Sequence, residues 1–486
     1  VLKKINKTDI FVCITLALFG IIWLHSIHIR SWRFDDSFFG YTYARNLVEG
    51  NGFTFNGVKV LGTSAPLPVL MYAGIAKLIG TDNIVLVAEH ISIFSMILSS
   101  ILLYFFVSGI TNLKLAGFFS AMAYFFNMFI FMTFGHETIL AILLILISLF
   151  LNLKKKFVLS YLILGLSFLC RAESIFVIVY MGIQTLADKP LKKENLRIYL
   201  YSVISFIAPS LAWFSFSYLY FRQLFSNSFK FKIIQNVINP GHFLPELVGF
   251  TKICYASDNI QIIALCVVAG VLAIGLLNVF KSKIYFMLFL SLGVIPIIFY
   301  CAINITYYHW FIFLFALMLT MFIGVSLKVV FGLYAGEEIQ TKGFKYLLCV
   351  ILLTVFFYSN YRFMKEKAST QENMTSYQVV GEYLAENTPP NASVGYVEVG
   401  QIAYYSHRKI IDLTGMVTKG VIDHLKAKDF NWTYDEYKPD YILDNPSFAW
   451  LYDFSKDAIK SNYTLVHTFE PHFNPCYYLY LYKRNN

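Results

Sequence analysis

Residues 9–27, DIFVCITLALFGIIWLHSI, are followed after five residues by RFDDSF at 33–38. The first stretch is long and apolar enough to cross a bilayer. The second sets two carboxylates, Asp35 and Asp36, where the chain has just left it. Charged groups beside a membrane are costly unless they have partners or chemistry to perform. One acid of the pair could take a proton while the other holds a substrate or a metal. The plain alternative is helix capping, with Asp35 or Asp36 as N-cap of a segment running to Glu49.

Working outward, the whole chain reads as a polytopic α-helical membrane protein. Hydrophobic residues make up 57% and charged residues 14% of 486, and the mean hydropathy is +0.60. The formal charge of +10 does not mark a nucleic-acid binder, because the basic residues gather in short loops where they set topology. The cysteines are scattered with no CxxC spacing, so neither zinc nor a redox motif is indicated. No small-residue cleavage site follows 9–27, which therefore reads as a retained span.

Apolar segments recur at 84–108, 113–134, 137–153, 157–170, 173–187, 199–220, 259–280, 284–303, 310–333 and 345–361, giving about eleven transmembrane helices with the first. Lys3, Lys4 and Lys7 place the N-terminus in the cytoplasm. If 157–187 crosses twice, Lys114, Lys154 to Lys156, Lys189 to Arg197, Lys281, Lys283, Lys342 and Lys345 all fall on that side. The loops 28–83 and 221–258, the turns at Gly135 and Arg171, and everything beyond about 362 then face outward. In loop 28–83, Phe39, Tyr43 and Leu47 share a helical face with Ala44 and Val48 beside them, ending at Gly50-Asn51-Gly52. The expected organisation is a catalytic membrane domain over 1–361 and an exoplasmic α/β domain over 362–486. In the latter, 393–397, 409–413, 440–443 and 463–466 read as strands, and 367–386 and 419–428 as helices.

On this topology ionisable side chains converge on the outer face: Asp35, Asp36 and Arg45 from the first loop, His136 and Glu137, Arg171 and Glu173, then Asn227, Lys230 and Lys232, and Tyr307, Tyr308 and His309. Such a collection suits a reaction on a phosphate-bearing lipid. A carboxylate can take a proton from an acceptor hydroxyl, and Lys or Arg can hold a phosphate as charge develops on it. Each member also has a plainer reading. Arg171 and Glu173 could pair with each other, the lysines could face lipid headgroups, and Tyr307, Tyr308 and Trp310 could be an interfacial belt.

Asp35-Asp36-Ser37-Phe38, Tyr43-Ala44-Arg45-Asn46-Leu47, Gly50-Asn51-Gly52 and Thr63-Ser64-Ala65-Pro66-Leu67 resemble polytopic bacterial glycosyltransferases of the GT-C class, in particular the terminal arabinofuranosyltransferases of the mycobacterial cell wall. Gly135-His136-Glu137-Thr138 is similar to their G-x-E-T turn, and Cys170-Arg171-Ala172-Glu173 to an RPE turn with Ala172 for proline. Ser226 to Lys232 resembles a PN-x4-K segment with Ser226 for proline, which aligns Lys232 with the family lysine. Gly395-Tyr396 through Gly400, Asp412-Leu413-Thr414-Gly415 and Lys438-Pro439-Asp440-Tyr441 resemble landmarks of the family's soluble domain.

The resemblance implies a sugar donor on a polyprenyl phosphate, a site outside the cytoplasmic membrane of a bacterium, and displacement with inversion. It also implies a first-loop aspartate as base: Asp35, with Asp36 beside it. Arg171 and Lys232 are the expected phosphate holders, with Arg45, Lys230 and His309 in reserve; His136, Glu137, Glu173, Asn227 and Tyr308 are expected to line the substrate. The acceptor would be a cell-envelope glycan, lipid or protein. Asp35 and Asp36 could bind Mg²⁺, Mn²⁺ or Ca²⁺ through oxygen, although a lipid-monophosphate donor does not require it. The competing reading is a lipid-linked glycan flippase or other transporter. It would need ionisable residues within the spans, and their middles are largely free of charge.

Overall fold

Asn6 starts the first helix of the computed structural model: its side chain accepts the Asp9 N–H while Asp9 accepts the Asn6 N–H, a reciprocal cap. The structure describes residues 5–27, 34–255, 282–333, 376–449, 458–470 and 478–485, with short pieces at 269–270, 273, 279, 354, 357–358, 360–365 and 451–452. The expected spans 259–280 and 345–361 lie largely outside these residues.

Two compact units are present. One comprises residues 1–30, 90–211 and 242–369, the other residues 31–89, 212–241 and 370–486. The first is helical. Among the described residues, five helical stretches are long and apolar enough to span a membrane: Lys7–Ser26, Ile84–Thr111, Lys193–Phe221, Lys283–Ile303 and His309–Val329. Glu137–Leu153 and Phe157–Phe168 are shorter apolar helices. The expected span 113–134 is broken in two, Lys114–Phe125 and Met128–Phe131. The break falls at Asn127, whose oxygen caps the Phe129 N–H and whose amide donates to Ala316 O and Thr320 Oγ1. A buried amide with three partners holds an interruption that hydropathy averages away. Gly324 permits the close helix contact nearby, since a Cβ there would meet Ala116 O and Ser120 Oγ. At the opposite end of the sequence-derived topology, Lys114 Nζ lies 2.7 Å from Asp9, which also accepts from Tyr104 OH.

The second unit is built on a five-stranded sheet: β1 Ser393–Tyr396, β2 Lys409–Asp412, β3 Tyr441–Asp444, β4 Tyr463–Phe469 and β5 Leu479–Arg484. The order is β2-β1-β3-β5-β4, with β1 parallel to both β2 and β3 and β5 antiparallel to β3 and β4. All four expected strands are present; β5 was not expected. The helix over 419–428 is Val421–Lys426, and the described part of the 367–386 helix begins at Ser376. Two short helices, Gln401–Ser406 and Trp432–Tyr437, are additional.

The loops before and between the spans join this sheet. Asn56, at positive φ, donates to Ile410 O and accepts from Ile410 N–H, doing the work of a strand residue along the edge of β2. Asn227 N–H bonds Leu61 O, and its side-chain amide bonds Met416 O. The amphipathic helix of the first loop runs Asp35–Val48, with Tyr43 fully buried and its hydroxyl tied to Val60 O and Gly62 N–H.

Candidate active site

The helix Asp35–Val48 is capped by Phe34, not by an aspartate, and no side chain caps it. Asp35 and Asp36 therefore occupy its first turn, where carboxylates suit the helix dipole but are not consumed by capping. Asp35 Oδ1 accepts the Gln401 N–H at 2.8 Å, at the start of the helix Gln401–Ser406. Its Oδ2 is buried against Gly400.

Gly400 follows β1 by four residues, and Glu398 lies between them. In a sheet with parallel strands, ligands gather beyond the carboxyl ends where strand order reverses. β1 is that point, with β2 on one side and β3 on the other. One carboxylate oxygen from each of Asp35, Asp36 and Glu398 comes within 4.8 Å of the others. Asp412, which closes β2, is spent on structure. Its Oδ1 takes the N–H and hydroxyl of Thr414, and its Oδ2 takes the Val417 N–H.

Burial first, and then the neighbouring charges, shift the protonation of Asp35 and Glu398. Burial raises the Asp35 carboxyl to about 7; the Gln401 N–H opposes this and the Asp36 charge adds to it. Burial, then the charges of Asp35 and Asp36, push Glu398 well above the usual carboxylate range, while Lys232 pulls the other way. An acid whose pKa lies near neutrality is matched to general-base work. Lys232 is thus electrostatically linked to the group, and its ammonium also donates to Gln235 Oε1. Lys230 reaches Asn227 Oδ1 at 3.5 Å.

Arg45 occupies a different place on the same helix. It donates to Tyr404 O, and its guanidinium lies 4.5 Å over the Tyr404 ring.

The remaining expected site residues belong to the helical unit, where they form an ion cluster of their own. Arg171 bonds Glu173 through Nε and Nη2 and Glu137 through Nη1. Burial opposes its charge, but Glu173 and Glu137 outweigh that and raise its pKa. Tyr300 OH donates to Glu173 Oε1 at 2.7 Å. His136 Nε2 lies 3.1 Å from Glu137, and burial, then Arg171, hold this imidazole neutral. His309 Nε2 lies 3.1 Å from Met132 O, and Tyr308 stacks on Trp310 at 4.5 Å.

Residues 360–481 match the profile of a domain of unknown function (DUF8728). No curated protein sequence matches the chain. Among the similar solved structures are two that match nearly all of it. ArnT from Cupriavidus metallidurans bound to undecaprenyl phosphate shares 11% identity at a TM-score of 0.54, covering 98% of this chain and 98% of that one. This is the GT-C fold. The arabinofuranosyltransferase AftD from mycobacteria shares 11% identity at a TM-score of 0.50, covering 97% of this chain but only 40% of its own length.

Glu398 and Gly400 lie in the stretch Gly395 to Gly400 that the sequence marks as a landmark, but nothing in the sequence placed them beside Asp35. The signal they carried was local: a lone acid between Val397 and Val399, directly after a strand and before a glycine. Gly400 has no room for a side chain, because a Cβ would overlap Asp35 O and stand 2.5 Å from Oδ2. Gly400→Ala is expected to displace the Asp35 carboxylate and destabilise the protein by about 1–3 kcal/mol as an overpacked contact. Thermal unfolding in detergent checks this; an unchanged melting temperature would mean the contact yields freely.

Proposed function

We propose that this multi-pass membrane protein is a glycosyltransferase. It would take a sugar from a polyprenyl-phosphate donor and join it, with inversion at the anomeric carbon, to a hydroxyl of a cell-envelope glycan, lipid or protein. The observation that carries this reading is Asp35: a half-buried carboxylate with pKa raised to about 7, grouped with Asp36 and Glu398 on a GT-C fold.

The acceptor hydroxyl attacks the anomeric carbon while the Asp35 carboxylate accepts its proton. The bond from that carbon to the phosphate oxygen breaks, and its electron pair leaves with the polyprenyl phosphate. Lys232 offsets the charge that develops there, and Asp36 orients the acceptor. Glu398, which holds a proton more readily than an ordinary glutamate, can donate a hydrogen bond. Asp35, Asp36 and Glu398 form an all-oxygen set that suits Mg²⁺, Mn²⁺ or Ca²⁺. A cation bound there would neutralise phosphate charge. The membrane would be the bacterial inner membrane, crossed about eleven times, with the site outside the cytoplasm; this placement rests on the distribution of Lys and Arg.

Right-side-out vesicles given a labelled short-chain polyprenyl-phosphate pentose or hexose on their outer face test reaction and sidedness together, with and without EDTA. Sugar transfer with release of polyprenyl phosphate is expected. Carriage of the intact donor across the bilayer would instead make the chain a flippase, and loss of turnover in EDTA would place a cation in the site.

A further inference from the structure

At the far end of the helix Asp35–Val48 from the paired aspartates lies a cleft of about 510 Å³. Arg45 is ten residues beyond Asp35, so the two stand roughly 15 Å apart along the helix axis. The helices Ile84–Thr111, Ser376–Asn387 and Gln401–Ser406 supply the other walls.

The lining has a particular chemistry. Three residues with carboxyl side chains, Glu49, Asp82 and Glu89, line it together with one that carries a guanidinium, Arg45. The Arg45 side chain is 12% exposed, and its Nε sits 3.8 Å from Glu49, beyond hydrogen-bond reach, with no acceptor. Tyr404 and Tyr405 contribute aromatic wall, and Asn83, Gln378 and His407 add amides and an imidazole. Burial and then Arg45 push the His407 imidazole toward its neutral form.

This set excludes several ligands. A phosphate or uronate would meet an excess of carboxyl groups. A metal ion needs ligand atoms gathered at one point, and among the described residues the group within 4.8 Å is Asp35, Asp36 and Glu398, not these acids. A purely cationic ligand would leave the Arg45 N–H without an acceptor, a costly state for a buried charged donor. What satisfies both kinds of group is a ligand whose polar atoms each donate and accept, with an apolar ring face to lie on tyrosine. Sugar hydroxyls do both.

We propose that this cleft is a binding site for uncharged saccharide units, separate from the carboxylate group at Asp35. Resting on the glycosyltransferase reading, it holds the body of a glycan acceptor a few sugar rings behind the hydroxyl that reaches Asp35. The helix Asp35–Val48 fixes the spacing between the two ends.

The test uses the full chain in detergent on an array of defined neutral, amino-bearing, uronate and phosphorylated oligosaccharides, with a lysine-rich peptide printed beside them. Neutral oligosaccharides are expected to bind. Glu49→Lys and Asp82→Lys alter exposed positions and should each weaken that binding by about tenfold or more through loss of hydrogen bonds to a charged group. No neutral saccharide bound, stronger binding of the peptide or the acidic sugars, or binding indifferent to both variants would each overturn the proposal. Donor turnover by the unaltered chain is measured in parallel. A blank array beside active turnover removes the cleft proposal alone. Saccharide binding without turnover keeps the cleft and removes the enzyme reading.

Discussion

Asp35→Asn is expected to lower sugar transfer by about 10²–10⁴-fold, the usual worth of a positioned base, while the protein still inserts, folds and binds donor. The amide keeps the shape and can still accept the Gln401 N–H, but it cannot take a proton. The pH dependence gives a second handle. With its pKa raised to about 7, an Asp35 that serves as the base works only when ionised, so the wild-type rate in EDTA should rise with pH and level off above about 7. Stability runs the other way. A carboxyl whose folded pKa exceeds its unfolded value of 3.8 contributes fully below the unfolded pKa and loses that contribution as pH climbs through 7. Asn resembles the neutral acid, so the variant should melt above wild type at pH 8 and close to it near pH 4. Glu398→Gln, which also mimics a neutral carboxyl, should cost less activity than Asp35→Asn, and so should Asp36→Asn. If Asp36→Asn abolishes transfer while Asp35→Asn keeps it, the two exchange roles. If both variants stay active, the pair serves only the first turn of its helix.

The legible parts of this protein were those set by local pattern. Hydropathy placed the ends of Lys7–Ser26, Ile84–Thr111 and His309–Val329 within a few residues, and β-branched and aromatic runs between turn residues placed β1 to β4. The helix after Asp35 was readable from Phe39, Tyr43 and Leu47, but its cap was not. An aspartate before an apolar face reads as N-cap, whereas the structure starts the helix one residue earlier and gives the Asp35 carboxylate to Gln401. That partner lies in another part of the sequence, and no local rule reaches it. Glu398 was hidden for the same reason: only the docking of the first loop onto the end of β1 brings it beside Asp35 and Asp36. β5, Leu479 to Arg484, was missed; a short apolar run of this kind suits a buried strand or a helix segment, and periodicity does not choose between them. Arg171 allowed two readings from sequence, and its bonds to Glu137 and Glu173 favour the structural one.

Arg171→Ala is expected to damage the fold before it damages donor binding. The guanidinium is buried, with Glu173 on Nε and Nη2 and Glu137 on Nη1, and Glu173 is in turn held by Tyr300. Glu137 begins the helix Glu137–Leu153, Glu173 lies in the turn before Val177–Asp188, and Tyr300 is on Ile295–Ile303, so one side chain ties several helix ends together. Removing it leaves two carboxylates without their cation, and breaking a buried pair in this way costs about 3–5 kcal/mol. Arg171→Lys keeps the charge but loses the planar fork that serves both acids at once, so it should fall between wild type and alanine. Arg171→Met combined with Glu137→Gln and Glu173→Gln removes the unpaired charge along with the pair and should recover much of the lost stability. Melting temperatures of the four proteins in one detergent give the order. A phosphate-holding role predicts the opposite pattern: Arg171→Ala would melt like wild type while its KM for the polyprenyl-phosphate donor rose sharply. That outcome would return Arg171 to the donor site and leave Glu137 and Glu173 as groups that only position it.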